Sequence, residues 1–192
     1  INIKMHQQKR AFHLVKKVGC IETPIPNKRI QNDGTIVIHP GVSDINRAWP
    51  ETYWLELIKL LAVYHDISIV KIAASNDLIE KINSNNINIK IFKGSLVEFN
   101  EWLKMQKLII APDSMGGHLA AYNGIPSITI FGSQDPDLTR PSGSKSKIIK
   151  PKINCCHKKV HWRFCEKCML SVEPIFVYKE AVKFISEIKN RA

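Results

Sequence analysis

The sequence predicts an α/β protein: a Rossmann-like parallel sheet with helices on both faces. Three observations carry this. Short apolar runs recur along the chain, each followed by an amphipathic stretch of helical period. Those runs are apolar throughout rather than alternating with polar residues, as strands covered on both faces must be. Finally, 192 residues, 44% hydrophobic and 23% charged, suffice for one substantial core and would be cramped as two full domains.

In chain order, residues 4–18 place Met5, Phe12, Val15 and Val18 near one helical face, with Gly19 as a C-terminal stop. The following IETPIPNKR, with Pro24 and Pro26, cannot be helical and reads as an extended connection. Residues 1–33 are therefore expected to be a linker helix and connection, and 34–192 the folded domain. Residues 35–39 read as a strand and 50–64 as a helix with Pro50 in its first turn, where a missing N–H costs nothing. A strand at 67–73, a short helix at 76–82, a strand at 87–92 and a helix at 96–105 capped by Ser95 follow. A strand at 108–111, a helix at 117–123 and a strand at 127–131 complete the alternation. Beyond it lie a turn-rich, basic, Cys-containing stretch at 145–168 and an amphipathic helix at 175–189 that packs back on the domain.

The 28 Lys and Arg against 17 Asp and Glu give a net charge of +11, unevenly placed. Residues 1–30 hold seven bases and one acid, and 145–167 hold eight bases and one acid. A basic fringe around a near-neutral body suits an anionic partner such as phosphates or an acidic membrane surface; a solvated, lysine-rich surface is the alternative. No helix-turn-helix, RNP-type strand or finger repeat supports nucleic acid as that partner. The longest apolar runs fall far short of the ~20 residues that span a bilayer, and the first residues show no signal pattern. Five cysteines without such a pattern favour reduced thiols or a metal site over a disulfide framework.

In an open parallel sheet, ligands bind beyond the carboxyl ends of the strands, so the loops there carry the functional signal. The first is HPGVSDINRAWP at 39–50, where Gly41 allows close backbone approach, Ser43 offers a hydroxyl and Arg47 suits a phosphate. It reads equally as a strand-to-helix connection, and Trp49 is a packing residue in either case. The second is APDSMGGHLAAYNGIP at 111–126: a strand runs into Asp113 and Ser114, and Met115, Gly116 and Gly117 lead into a helix carrying His118. A helix N-terminus with two glycines receives an anion well, although Asp113 or Ser114 can instead simply cap the helix. The third, FGSQDPDLTRPSG at 131–143, places Gly132, Ser133 and Gln134 as another wall of the same cleft.

Taken in order, HPG…RAWP, PDSMGGHLAAYNGIP, ITIFGSQDPDLTRPSG and the Cys-rich stretch ending CMLSVEP resemble the C-terminal half of family 9 glycosyltransferases, the lipopolysaccharide heptosyltransferases, over about residues 35–185. The resemblance implies the donor-binding domain of a GT-B enzyme. Such a domain binds a nucleotide-activated sugar, typically ADP-heptose, for inverting, metal-independent transfer to a lipid-linked acceptor in the lipopolysaccharide core. It implies diphosphate contacts from Gly41, Val42, Ser43 and Arg47, sugar-hydroxyl contacts from Asp113, phosphate contacts from Ser114 and the amides after it, and a phosphate or leaving-group contact from His118. Met115 stands where the family has Gly. The family's general base belongs to an N-terminal acceptor domain that these residues do not resemble, so the chain is expected to be a C-terminal fragment or a split product. It is also expected to be cytoplasmic, at the inner face of the membrane, and to need no cofactor. A non-catalytic nucleotide- or polyanion-binding module is the alternative.

The stretch CCHKKVHWRFCEKC at 155–168 holds Cys165 and Cys168 as a CxxC, with Cys155, Cys156, His157 and His161 able to complete a tetrahedral zinc site. Structural thiols and regulatory oxidation are its other readings.

Overall fold

In the computed structural model, residues 5–16, 34–153 and 167–190 are described. Six parallel strands form one sheet: β1 Ile36–Ile38, β2 Ile67–Val70, β3 Lys90–Phe92, β4 Leu108–Pro112, β5 Ser127–Ile130 and β6 Ser146–Ile149. Their spatial order is β3-β2-β1-β4-β5-β6. The helices are α1 Gln7–Lys16, α2 Glu51–Ala62, α3 Asn76–Ser84, α4 Leu96–Leu103, α5 Met115–Tyr122, α6 Pro136–Thr139, α7 Lys167–Leu170 and α8 Pro174–Lys189. The doubly wound α/β fold expected from the sequence is the fold observed.

Strand β1 shows why the sequence reads as continuous apolar runs. Ile36 and Ile38 face α2, α3 and α8, while Val37 faces the opposite layer with Phe99 and Leu103 of α4 and Ala120 of α5. All three residues are fully buried, so no polar side is possible. Each such isoleucine contributes about 1.5–3 kcal/mol by leaving water. Strand β3 departs from this pattern: Lys90 and Ile91 are exposed because it is a sheet edge.

Several boundaries differ from expectation for identifiable reasons. Strand β2 stops at Val70, because Ser75 Oγ accepts from the Ile72 N–H at 2.9 Å and closes a 3-10 turn over Ala73–Ser75. Pro50 is the N-cap of α2 rather than part of its first turn; its ψ of 139° is extended. Ser95 caps α4 in a capping box with Glu98. Helix α5 begins at Met115, earlier than expected, and the short helix α6 and strand β6 were not expected at all. Strand β6 is a partly exposed edge of only four residues, Ser146, Lys147, Ile148 and Ile149, too short and mixed for hydrophobic periodicity to reveal it. Helix α1 lies within the expected span, whereas Val18, Gly19 and the Pro24–Pro26 connection fall outside the described residues.

Helix α5 approaches the sheet closely because two of its residues lack side chains. A Cβ on Gly117 would lie 2.7 Å from Thr129 Oγ1, and one on Gly116 would lie 3.2 Å from Ile109 Cδ1. Gly117→Ala is expected to destabilise the protein by about 1–2 kcal/mol in urea unfolding, overpacking outweighing the gain in helix propensity. In a Thr129→Ala background the same substitution should be neutral or stabilising; an equal penalty in both would place the strain elsewhere.

Candidate functional site

The strand order reverses between β1 and β4, so the connections leaving them diverge and open a crevice at the carboxyl edge of the sheet. A cleft of about 620 Å³ occupies this position. Gly41, Val42, Ser43 and Arg47 line it from the loop after β1, and Asp113, Ser114, Met115 and His118 from the β4–α5 segment. Gln134 and Thr139 close it from the loop after β5 and from α6.

Local folding explains how Arg47 reaches this point. The Asp44 carboxylate accepts from the Asn46 N–H at 3.1 Å and caps a 3-10 turn at Ile45–Arg47, which turns the arginine back towards β4. Arg47 Nη2 then donates to Ser43 Oγ at 2.9 Å and Nη1 to the Asp113 carbonyl oxygen at 3.1 Å. Nη1 also lies 3.6 Å from Asp113 Oδ2. One guanidinium thus bridges the two loops of the crevice. Trp49, two residues on, is buried and donates from its indole to the Val172 carbonyl at 2.8 Å, as a packing residue should.

Ser114 is the N-cap of α5 in extended conformation, yet its hydroxyl makes no capping bond. Its Oγ is buried and unpartnered, as are Arg47 Nε and His39 Nδ1. Buried polar atoms are normally satisfied, and here three unsatisfied ones belong to residues lining a single cleft. Burial raises the Asp113 pKa, opposed chiefly by Arg47 and then by His118. Desolvation lowers that of His118, although its side chain still reaches solvent; Asp113 opposes the shift and His6 adds to it.

Of the residues singled out from sequence, Gly116 and Gly117 are not in the cleft surface. They face inward, towards His39 and Thr129, where they permit helix packing. Gly132 likewise faces Met169, 2.6 Å from Sδ were a Cβ present, and Ser133 is buried, while Gln134 alone of that trio lines the cleft. Met115, in the family's glycine position, is 45% exposed at the start of α5. Sequence reasoning missed His39, Ile72, Thr139 and Gln7 as lining residues. The position of His39 directly after β1 was a usable signal, whereas nothing local connects Gln7 of α1 to this site. Helix α1 is held beside it by His6, whose Nε2 is 3.0 Å from the Arg140 carbonyl oxygen.

Of the cysteines in this segment only Cys168 is described, and for it the expected chemistry needs correction. Cys168 is disulfide-bonded, and a sulfur so bonded is neither a free thiol nor a thiolate ligand for zinc. Its partner and Cys155, Cys156 and Cys165 lie outside the described residues. Among the described residues no group of three His, Cys, Asp or Glu is placed to hold a metal ion.

The family model for glycosyltransferase family 9 (heptosyltransferase) matches residues 1–169. Lipopolysaccharide heptosyltransferase 1 of Campylobacter coli is 35% identical over 168 residues, which are 82% of this chain and 47% of that protein. The chain thus spans about half the length of this curated relative. The structure of E. coli heptosyltransferase WaaC with ADP superimposes with a TM-score of 0.70 at 18% identity, covering 92% of this chain and 56% of that one. WaaC with ADP-2-deoxy-2-fluoro heptose gives 0.66 at 17% identity, over 91% and 55%. At these identities the structural likeness speaks for the fold.

The lowered pKa values of His39 and His118 set an expected pH dependence. Burial disfavours both charged forms in the fold, so their contribution to stability is present above about pH 6.5 and is lost as pH falls towards their folded values. The melting temperature should therefore fall between about pH 7 and 5. His39→Asn should flatten that fall, and an unchanged slope in this variant would mean that His39 does not titrate as its burial demands.

Proposed function

The chain belongs to glycosyltransferase family 9, the heptosyltransferases, and from that premise we propose that it forms the donor-binding half of an inverting heptosyltransferase. Its donor is a nucleotide sugar, ADP-heptose, and its acceptor the lipid-linked core of a growing lipopolysaccharide. The observation that carries this is the pair of buried, unpartnered atoms Ser114 Oγ and Arg47 Nε, set on two loops that face one cleft at the sheet's reversal point.

The roles follow from chemistry. The diphosphate sits against the first turn of α5, where free backbone N–H groups and the positive end of the helix dipole favour negative charge. The Ser114 hydroxyl donates to a phosphate oxygen, and Arg47, already oriented by Ser43 and Asp113, contributes a charge-assisted bond. Gly41, Val42 and Ser43 shape the loop over the phosphates. Asp113, whose side chain is 5% exposed and faces Arg47, accepts from sugar hydroxyls at the cleft floor. His118 stands beside the leaving phosphate, and Gln134 closes the sugar end. Met115, 45% exposed, lines the cleft at the first turn of α5.

Transfer also needs a base to take the acceptor hydroxyl's proton, which this reading assigns to the acceptor half that the longer relatives carry. Among the described residues no helix is long and apolar enough to cross a membrane. The reading places the protein on the cytoplasmic face, docked on anionic lipid by its lysine-rich fringe, where attraction extends about 8 Å at physiological salt.

Titration calorimetry with ADP, UDP and GDP should show preferential binding of ADP. Arg47→Ala and Ser114→Ala should each weaken ADP by roughly 10- to 150-fold, the loss of about 1.5–3 kcal/mol. Parent-like ADP affinity in both variants would move the site elsewhere. Sedimentation with anionic vesicles should show binding at low salt that high salt abolishes; salt-independent binding or none would remove the electrostatic docking.

A further inference from the structure

We propose that His39 is a ligand-contacting residue of this cleft: a buried imidazole in its floor whose Nδ1 hydrogen-bonds an oxygen of the bound nucleotide. The inference rests on the nucleotide-sugar reading and adds to it a residue to which that reading gives no contact. His39 is the first residue after β1, and its backbone N–H donates to the Ile110 carbonyl of β4 at 3.0 Å, so strand pairing across the reversal point fixes its Cα. The ring lies in a slot made by absent side chains. A Cβ on Gly41 would be 3.2 Å from its Cε1, and one on Gly116 would be 3.2 Å from its Cγ. Phe99 closes the slot with its ring centroid 5.6 Å away.

His39 is 5% exposed and lines the cleft, yet its Nδ1 has no hydrogen-bond partner. Packing alone does not use that nitrogen, which has no polar partner in the slot. Burial lowers the pKa of the imidazole, with its own backbone carbonyl pulling weakly the other way. A neutral ring offers one donor and one acceptor, which suits a hydroxyl or phosphate oxygen. Gly41 and Gly116 thus acquire a role different from direct phosphate approach: they admit the imidazole.

Calorimetry with ADP on the parent, His39→Phe and His39→Asn tests this, together with the imidazole nitrogen resonances of the parent. His39→Phe is expected to unfold cooperatively like the parent but to bind ADP about 10-fold more weakly. His39→Asn, whose amide places a polar atom near the Nδ1 position, should recover affinity to within roughly threefold. The His39 Nδ1 resonance of the parent should shift on ADP addition. Parent-like affinity in a folded His39→Phe, or a folded His39→Asn that recovers nothing, would overturn the role while leaving the nucleotide reading intact. Should both variants fail to fold, an Nδ1 resonance unmoved at saturating ADP overturns it equally. A parent that binds no ADP removes the nucleotide reading itself, and this inference with it.

Discussion

Strand β1 is hydrogen-bonded along both edges, to β2 through Ile36–Ile67 and to β4 through Ile36–Leu108, and the cleft depends on that double pairing. Three residues hold the centre of a six-stranded sheet. Because the chain leaves β1 towards one side and β4 towards the other, their following loops cannot pack on each other. A crevice is the geometric remainder, and the residues beside it are placed by backbone pairing rather than by their own contacts. This is why His39 and Asp113, distant in sequence, share one floor.

Charge in the crevice is governed by desolvation more than by pairing. Arg47 lies 3.6 Å from the Asp113 carboxylate, and the pKa of that carboxyl is nevertheless raised, because burial outweighs the attraction. The guanidinium is instead anchored by neutral acceptors, the Ser43 hydroxyl and the Asp113 carbonyl. These neutral acceptors fix the guanidinium's position beside the carboxylate. The same loss of water lowers the pKa values of His39 and His118.

Glycine has two distinct uses around this site. In sequence, Gly41, Gly116 and Gly117 suggest backbone exposed to a ligand. In the fold, a Cβ at any of them meets a buried side chain at 3.2 Å or less, so they serve close packing of the helix and of the imidazole. At the same helix start, the Ser114 hydroxyl is buried beside the cleft without a hydrogen-bond partner. The cysteines carry a parallel lesson, since their spacing admits thiols, zinc or a bond, and the sulfur of Cys168 is in a disulfide.

The sequence by itself determined the alternation of strands and helices, the carboxyl-edge location of the site, and most of its lining, including Arg47, Asp113, Ser114 and His118. These are local properties: apolar runs, a serine at a helix start, a loop after a strand. Only the tertiary structure decided the strand order, the inward-facing glycines, the bridge from Arg47 to Asp113 and the approach of Gln7 from α1. Edge strand β6 belongs with these, because its pairing with β5 rather than any apolar pattern makes it a strand. Each depends on contacts between residues far apart in the chain, whose energies depend on which surfaces the folded sheet brings together, and no local pattern encodes that.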